Sequence, residues 1–146
     1  MSENTSGLLL SVRPRFAEAI LSGRKTVEVR RRRVGAPDGS SVVLYASSPV
    51  MAVVGTARLE RMETLELEEA WKCYGHTMGI TRSEFDSYLS GSAVACLLFL
   101  VDPSPLGSPL PLSDLRSSRK FHPPQSYRFV AESDPTAIRE LAMQGA

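Results

Sequence analysis

Apolar and polar residues alternate in short, bounded segments along this chain of 146 residues. An apolar run over Leu8–Val12 predicts a strand. Pro14 then suits the first turn of a helix, and Gly23 suits its C-terminal stop. The strict alternation over residues 26–32 predicts a half-buried strand directly after that helix.

The rest of the chain continues this pattern of short elements. We predict further strands at residues 41–46, 52–61, 93–101 and 126–131, and helices at residues 65–74, 81–89 and 136–144. The last two helices begin at a Thr81-x-x-Glu84 capping box and at Asp134-Pro135. Four prolines in residues 103–111 predict a loop or an extended edge, with a helical turn at 113–115. About six strands without βαβ alternation predict an α+β fold, a small and mostly antiparallel barrel or sandwich.

The charge of the chain is concentrated at its start. The net charge is only +1, but residues 1–50 hold eight Lys and Arg against four Asp and Glu. Residues 30–33 are four consecutive arginines, whose guanidinium groups match phosphate oxygens. A solvated, salt-bridged strand end is the alternative interpretation. Alternation puts Arg30 and Arg32 on one face with Glu28, and Arg31 and Arg33 on the opposite, valine face.

Several classes of protein are disfavoured by the sequence. No apolar run approaches the roughly 18–20 residues that cross a bilayer, and the N-terminus lacks the basic region of a secretory signal. We therefore expect a cytoplasmic protein with no membrane partner. Cys73 and Cys96 are expected to be buried free thiols. His76 and His122 have no ligand-like neighbours, so we expect no metal and no cofactor.

Three segments in order, LLLSVRPRFAEAILSGRKTVEVRRRR, VVLYASSPVMAVVGTARL and FHPPQSYRF, resemble the ASCH (activating-signal-cointegrator homology) domains of the PUA-like superfamily. The resemblance implies a PUA-like β-barrel with inserted helices and a cleft between the barrel wall and the first helix. It also implies three regions: a flexible N-terminus (1–7), the ASCH domain (8–131) and a C-terminal helical extension (132–146). Members of the family are thought to bind RNA or nucleosides, and some hydrolyse N4-acetylcytidine or are described as ribonucleases.

Two positions decide whether the catalytic mechanism of the amidohydrolase members can be expected in this chain. In the amidohydrolase members, a lysine at the place of Lys25 is catalytic, and a threonine nucleophile stands at the place of Glu28. The catalytic acid of those members falls near Met78, with Glu69 and Glu84 close by in sequence. The departure at Glu28 favours binding over catalysis, although Lys25 and Glu28 are the catalytic candidates if the protein is an enzyme.

The expected cleft holds residues that contact phosphates and bases. Glu28 can accept hydrogen bonds from an exocyclic amine, or it can form a plain surface pair with Arg30. Tyr45 either stacks on a base or packs in the core, and Gln125 either contacts a base edge or has no such role. The predicted nucleic-acid and base-binding residues are Arg24, Lys25, Thr26, Glu28, Arg30, Arg32, Tyr45, Ser47, Ser48, Gln125 and Ser126.

Three functions are compatible with the sequence. The favoured one is binding of RNA, or of another single-stranded nucleic acid, with one base or modified nucleoside in the cleft. The alternative is an amidohydrolase that acts on a modified nucleoside such as N4-acetylcytidine. The third is a regulatory protein whose cleft binds a small metabolite.

Overall fold

The fold is built on a six-stranded mixed sheet that curls into a half-barrel, in a computed structural model that describes residues 7–117 and 119–144. β1 and β3 run parallel, and the other neighbouring strands run antiparallel. The strand order is β2-β5-β4-β3-β1-β6. The strands are β1 (Leu8–Val12), β2 (Val27–Arg30), β3 (Ser41–Ala46), β4 (Ala52–Glu66), β5 (Val94–Pro111) and β6 (Tyr127–Phe129).

Short helices surround this sheet, as the apolar spacing predicts. They are α1 (Pro14–Leu21), α2 (Leu67–Tyr74), a 3₁₀ helix (Gly75–Thr77), α3 (Arg82–Tyr88), α4 (Leu112–Leu115) and α5 (Thr136–Gln144). Pro14 opens α1, and the capping box at the start of α3 is formed in both directions. In the part of the chain that the structure describes, no helix is long and apolar enough to span a membrane.

Strands β4 and β5 are longer than the sequence pattern predicts. β4 continues to Glu66, because Leu65 and Glu66 pair with the start of β5, so α2 begins two residues later than expected. β5 continues through the four prolines to Pro111 by pairing with the first half of β4. β2 does not pair with this part of β5. Proline lacks a backbone N–H group, and because no strand of the described residues lies on that side of this part of β5, no hydrogen bond to a strand is lost there.

Three apolar clusters fix the layers around the sheet. One lies under α1 and includes Leu10 and Leu44, and a second lies between the sheet and α5. The third packs α2 and α3 on the valine face of β2. One expectation is wrong: Cys96 is buried, but Cys73 lies exposed on α2.

Gly55 in β4 marks the closest approach between the sheet and α1. A Cβ atom there would lie 2.5 Å from Leu21 Cδ2 and 2.8 Å from the backbone oxygen of Ser104. Leu21 could turn aside, but the strand backbone at Ser104 could not do so without breaking the β4–β5 ladder.

We therefore predict that Gly55→Ala lowers the free energy of unfolding by about 1–3 kcal/mol through overpacking. The matched control is Gly107→Ala in β5, where a Cβ atom would meet nothing within 4 Å. Urea denaturation of both variants measures the difference. An unchanged midpoint for Gly55→Ala would show that the strand backbone at Ser104 can make room for a methyl group.

Candidate functional site

A cavity of about 580 Å³ opens between the β1–α1 junction, strand β2 and helix α3. Its volume lies within the roughly 300–1,000 Å³ of small-molecule sites. It sits at the place where the family resemblance implies a cleft. The lining residues are Ser11, Val12, Arg13, Arg15, Phe16, Lys25, Glu28, Val29, Arg30, Ser47, Ile80, Glu84, Ser87, Tyr88 and Gln125.

Three charged side chains form the floor of this cavity and are almost completely buried. Lys25, Glu28 and Arg30 are 2%, 5% and 9% exposed. Lys25 Nζ lies 3.2 Å from Glu28 Oε1, and Arg30 Nη2 lies 2.8 Å from Glu28 Oε2. One carboxylate thus links two cations, which satisfies both of its oxygens and compensates part of the buried positive charge. We call these three residues the buried charge chain.

Arg30 also connects the two open edges of the half-barrel. β2 is one edge of the sheet and β6 is the other. Arg30 Nη2 donates to the backbone oxygen of Ser11 at 3.0 Å, and Nη1 donates to Ser126 Oγ at 3.0 Å. Ser11 Oγ donates in turn to the backbone oxygen of Pro124 at 2.7 Å. The guanidinium therefore replaces the backbone pairing that a closed barrel would have at this seam.

Lys25 is held on three sides. Its Nζ donates to the backbone oxygen of Met78, pairs with Glu28 and lies 4.8 Å from the centre of the Phe16 ring. Burial of the ammonium group holds the pKa of Lys25 below its usual value of 10.5, and the Glu28 carboxylate offsets part of that shift. A lysine with a lowered pKa releases its proton more easily than an exposed one.

The mouth of the cavity carries a second ion pair. Arg15 Nη2 lies 2.6 Å from Glu84 Oε2, and this pair joins α1 to α3. The Arg15 guanidinium also lies over the Phe16 ring. Glu84 additionally accepts the backbone N–H of Thr81 in the capping box. The hydrogen bond from the backbone N–H of Thr81, and after it the contact with Arg15, lower the pKa of Glu84. Arg13 lines the same mouth.

Sequence reasoning missed the residues of this mouth. Arg13 and Arg15 flank Pro14 at the junction of a strand and a helix, and this Arg-Pro-Arg signal was available in the sequence. The contact between Glu84 and Arg15 could not be predicted from the sequence, because 69 positions separate the two residues. Ser11, Phe16 and Tyr88 were also missed.

The predicted site residues divide into two groups. Lys25, Glu28, Arg30, Ser47 and Gln125 line the cavity, and Ser126 touches it through Arg30. The structure does not place the remaining five in the cavity lining, and these are Arg24, Thr26, Arg32, Tyr45 and Ser48.

Each of these five has a physical reason to lie elsewhere. Arg24 is exposed and pairs with Glu18, while Thr26 and Ser48 are exposed. Arg32 lies beyond the end of β2, so strand alternation no longer governs it. Tyr45 is buried in the second apolar cluster, on the face of β3 that also carries Val43.

No group of three or more His, Cys, Asp or Glu side chains that could hold a metal ion occurs within residues 7–117 and 119–144. Lys25, Glu28 and Arg30 pair with one another, while Nε of Arg30 is buried without a hydrogen-bond partner in the part of the chain that the structure describes. The side chains of the cavity lining offer an ammonium, three guanidinium groups, two carboxylates, hydroxyls and an amide.

Comparison with known proteins identifies the family. The profile of a family described as "Domain of unknown function (DUF365)" matches residues 5–122. A protein of Zymomonas mobilis subsp. mobilis named "ASCH domain-containing ribonuclease" is 32% identical over 137 residues, which cover 93% of this chain and 92% of that protein. The chain belongs to the ASCH domain family. The resemblance noted in the sequence is thereby confirmed.

Solved structures confirm the fold of this ASCH domain. The crystal structure of ASCH from Zymomonas mobilis matches with a TM-score of 0.82 at 32% identity, covering 88% of this chain and 90% of that one. A serine-to-alanine mutant of the same protein matches with a TM-score of 0.81, and a tyrosine-to-phenylalanine mutant with 0.79. The predicted α+β, PUA-like architecture is correct, with a half-barrel in place of a closed one.

The lowered pKa of Lys25 predicts a pH-dependent stability. Between the lowered pKa and 10.5, the folded protein binds fewer protons than the unfolded chain, so the contribution of Lys25 to the free energy of unfolding rises with pH in this window. Lys25→Met abolishes this contribution. We predict that the stability difference between the wild type and Lys25→Met grows in favour of the wild type as pH rises toward 10.5. Urea denaturation across this range measures it, and a pH-independent difference would contradict the account.

Proposed function

We propose that this ASCH domain binds single-stranded RNA and takes one unpaired nucleotide into the cavity. The observation that carries the proposal is the composition of the cavity wall. Cationic side chains for phosphate and polar side chains for a base edge converge on one cavity of about 580 Å³.

The cations at the mouth support phosphate binding. Arg13 and Arg15 lie where the chain of an entering nucleic acid would pass, and arginine offers paired N–H groups to phosphate oxygens. Arg15 is paired with Glu84 but stays largely exposed, so it can still donate to a ligand. Deeper in the cavity, the excess positive charge of Lys25 and Arg30 over Glu28 favours an anionic ligand.

The polar groups of the cavity support recognition of a base. Glu28 can accept a hydrogen bond from an exocyclic amine, as acidic side chains do with cytosine. Gln125 offers a donor and an acceptor on one amide, and Ser47 offers a hydroxyl. Unstacked bases with free edges occur in single strands rather than in duplexes. RNA is favoured as the partner because the Zymomonas relative is named a ribonuclease.

Removing one mouth arginine should weaken RNA binding in a salt-dependent way. Each phosphate contact to a single strand contributes about −0.7 to the slope of log K against log salt. We predict that Arg13→Ala reduces the magnitude of this slope by about that amount and weakens binding at low salt. Fluorescence anisotropy with a labelled oligouridylate measures both quantities.

Arg58→Ala is the control, because Arg58 lies outside the cavity and pairs with Asp102. It should leave the affinity and the slope unchanged. Wild-type binding that does not weaken between low and moderate salt would sink the proposal.

Cleavage of RNA is the second candidate function. It is favoured by the name of the Zymomonas relative and by the lowered pKa of Lys25. In such a reaction the 2′-oxygen attacks the adjacent phosphorus, the bond from phosphorus to the 5′-oxygen breaks, and the leaving oxygen takes a proton from solvent. Lys25 in its neutral form would accept the proton of the 2′-hydroxyl, and Glu28 would hold Lys25 in place.

This mechanism predicts an RNA that ends in a 2′,3′-cyclic phosphate and a second fragment with a free 5′-hydroxyl. Lys25→Ala should lose at least about a hundredfold in cleavage rate, measured by gel electrophoresis, and a substrate with 2′-deoxy residues should stay intact. Full cleavage by Lys25→Ala would rule out this role for Lys25. Release of cytidine from N4-acetylcytidine by the wild type would instead favour the amidohydrolase alternative.

A further inference from the structure

A second depression adjoins the cavity on the side of α2. It is an open depression of about 660 Å³ and shares Arg15, Ile80 and Glu84 with the cavity. The two spaces are therefore direct neighbours, with the Arg15–Glu84 ion pair in their common wall. Trp71, Lys72 and His76 line the far side of this depression, which we call the adjoining groove.

We propose that the adjoining groove holds the nucleotide next to the one in the cavity, so that the ASCH domain binds at least two consecutive nucleotides of RNA. This inference rests on the proposed RNA-binding function and deepens it. It assigns a binding role to α2 and the 3₁₀ helix, which the cavity itself does not use.

Charge favours a phosphate in this groove. Glu84 is compensated by Arg15 in the common wall, so its carboxylate does not repel a passing phosphate as a free one would. Lys72 lies exposed in the last turn of α2. On the outer side, Arg82 pairs with both Glu68 and Asp86, at 2.6 and 2.9 Å. Among the residues that line the groove itself, Arg15 and Lys72 outnumber the one acid, Glu84, so a phosphate that links the two nucleotides can lie between the two cations.

Trp71 gives the groove a rigid apolar wall. A Cβ atom on Gly75 would lie 2.6 Å from the indole ring, which shows that the backbone of the 3₁₀ helix packs directly on it. Phe85 meets the ring with its centroid at 5.1 Å. The Arg82 guanidinium also lies over the ring, 5.8 Å from its centroid. The indole is thus held in position, half-buried, and it forms part of the groove lining.

The chain provides its own reporter for this site. Trp71 is the one tryptophan in the sequence, so intrinsic fluorescence reports on the adjoining groove and not on the cavity. The probes are 5′-uridine monophosphate and 2′-fluoro oligouridylates of two and four residues, which cannot be cleaved through a 2′-hydroxyl. Binding is followed both by tryptophan emission and by competition with a labelled oligonucleotide.

We expect the monophosphate to bind without a change in tryptophan emission, and the two longer probes to bind more tightly and change it. Lys72→Ala should weaken binding of the tetranucleotide several-fold, reduce its salt slope by about 0.7, and leave binding of the monophosphate unchanged. Lys120→Ala, at an exposed lysine outside both spaces, is the matched control. Both lysines are exposed, so neither variant should change the unfolding midpoint.

The outcomes separate the two proposals. If the tetranucleotide binds without a change in emission, or binds Lys72→Ala as tightly as the wild type, the groove proposal is overturned while RNA binding at the cavity stands. If no probe binds at all, the proposed function fails and the groove proposal fails with it.

Discussion

The buried charge chain of Lys25, Glu28 and Arg30 is the constraint on which the rest of the structure depends. Burying each ion costs several kcal/mol in lost hydration, and this cost is met only if the ions pair well and their remaining hydrogen bonds are satisfied. Here the pairing distances of 3.2 and 2.8 Å and the backbone acceptors of Met78 and Ser11 meet most of that requirement, and among the described residues Arg30 Nε is left buried without a partner. Apolar residues would usually fill such a place at lower cost, so the charged set indicates a site that needs polar groups.

The architecture around the buried charge chain follows from the contacts that its outer residues make with neighbouring segments. Arg30 ties the β2 edge to Ser11 and Ser126 across the seam of the half-barrel. Lys25 ties the end of the α1–β2 connection to Met78, directly after the 3₁₀ helix. Arg30 and Lys25, the two outer members of the buried charge chain, thereby set the distance between the sheet and the α2–α3 region. The cavity occupies the space between the sheet and that region. A polar interaction at the floor thus defines the width of the mouth.

Much of this site could be predicted from local sequence, because strand alternation is a local property. A period of two residues placed Glu28 and Arg30 on one face and the valines on the other, and the structure has them so. The same rule would have placed Tyr45 with Val43 in the second apolar cluster, away from the cavity. Arg32 was misplaced because alternation was extended past the end of the strand at Arg30. The pairing of Arg15 with Glu84, and the extension of β5 through its prolines, depend on distant partners that no local pattern reports.

The central claim is that the floor of this cavity receives a nucleotide. The most direct measurement is a crystal structure of the protein with a bound, non-cleavable tetranucleotide of RNA. The account predicts electron density for one nucleotide above Glu28, with its base edge near Gln125 and its phosphate near Arg13. Ordered RNA that lies instead along the exposed Arg31 and Arg33, with the cavity empty, would contradict it.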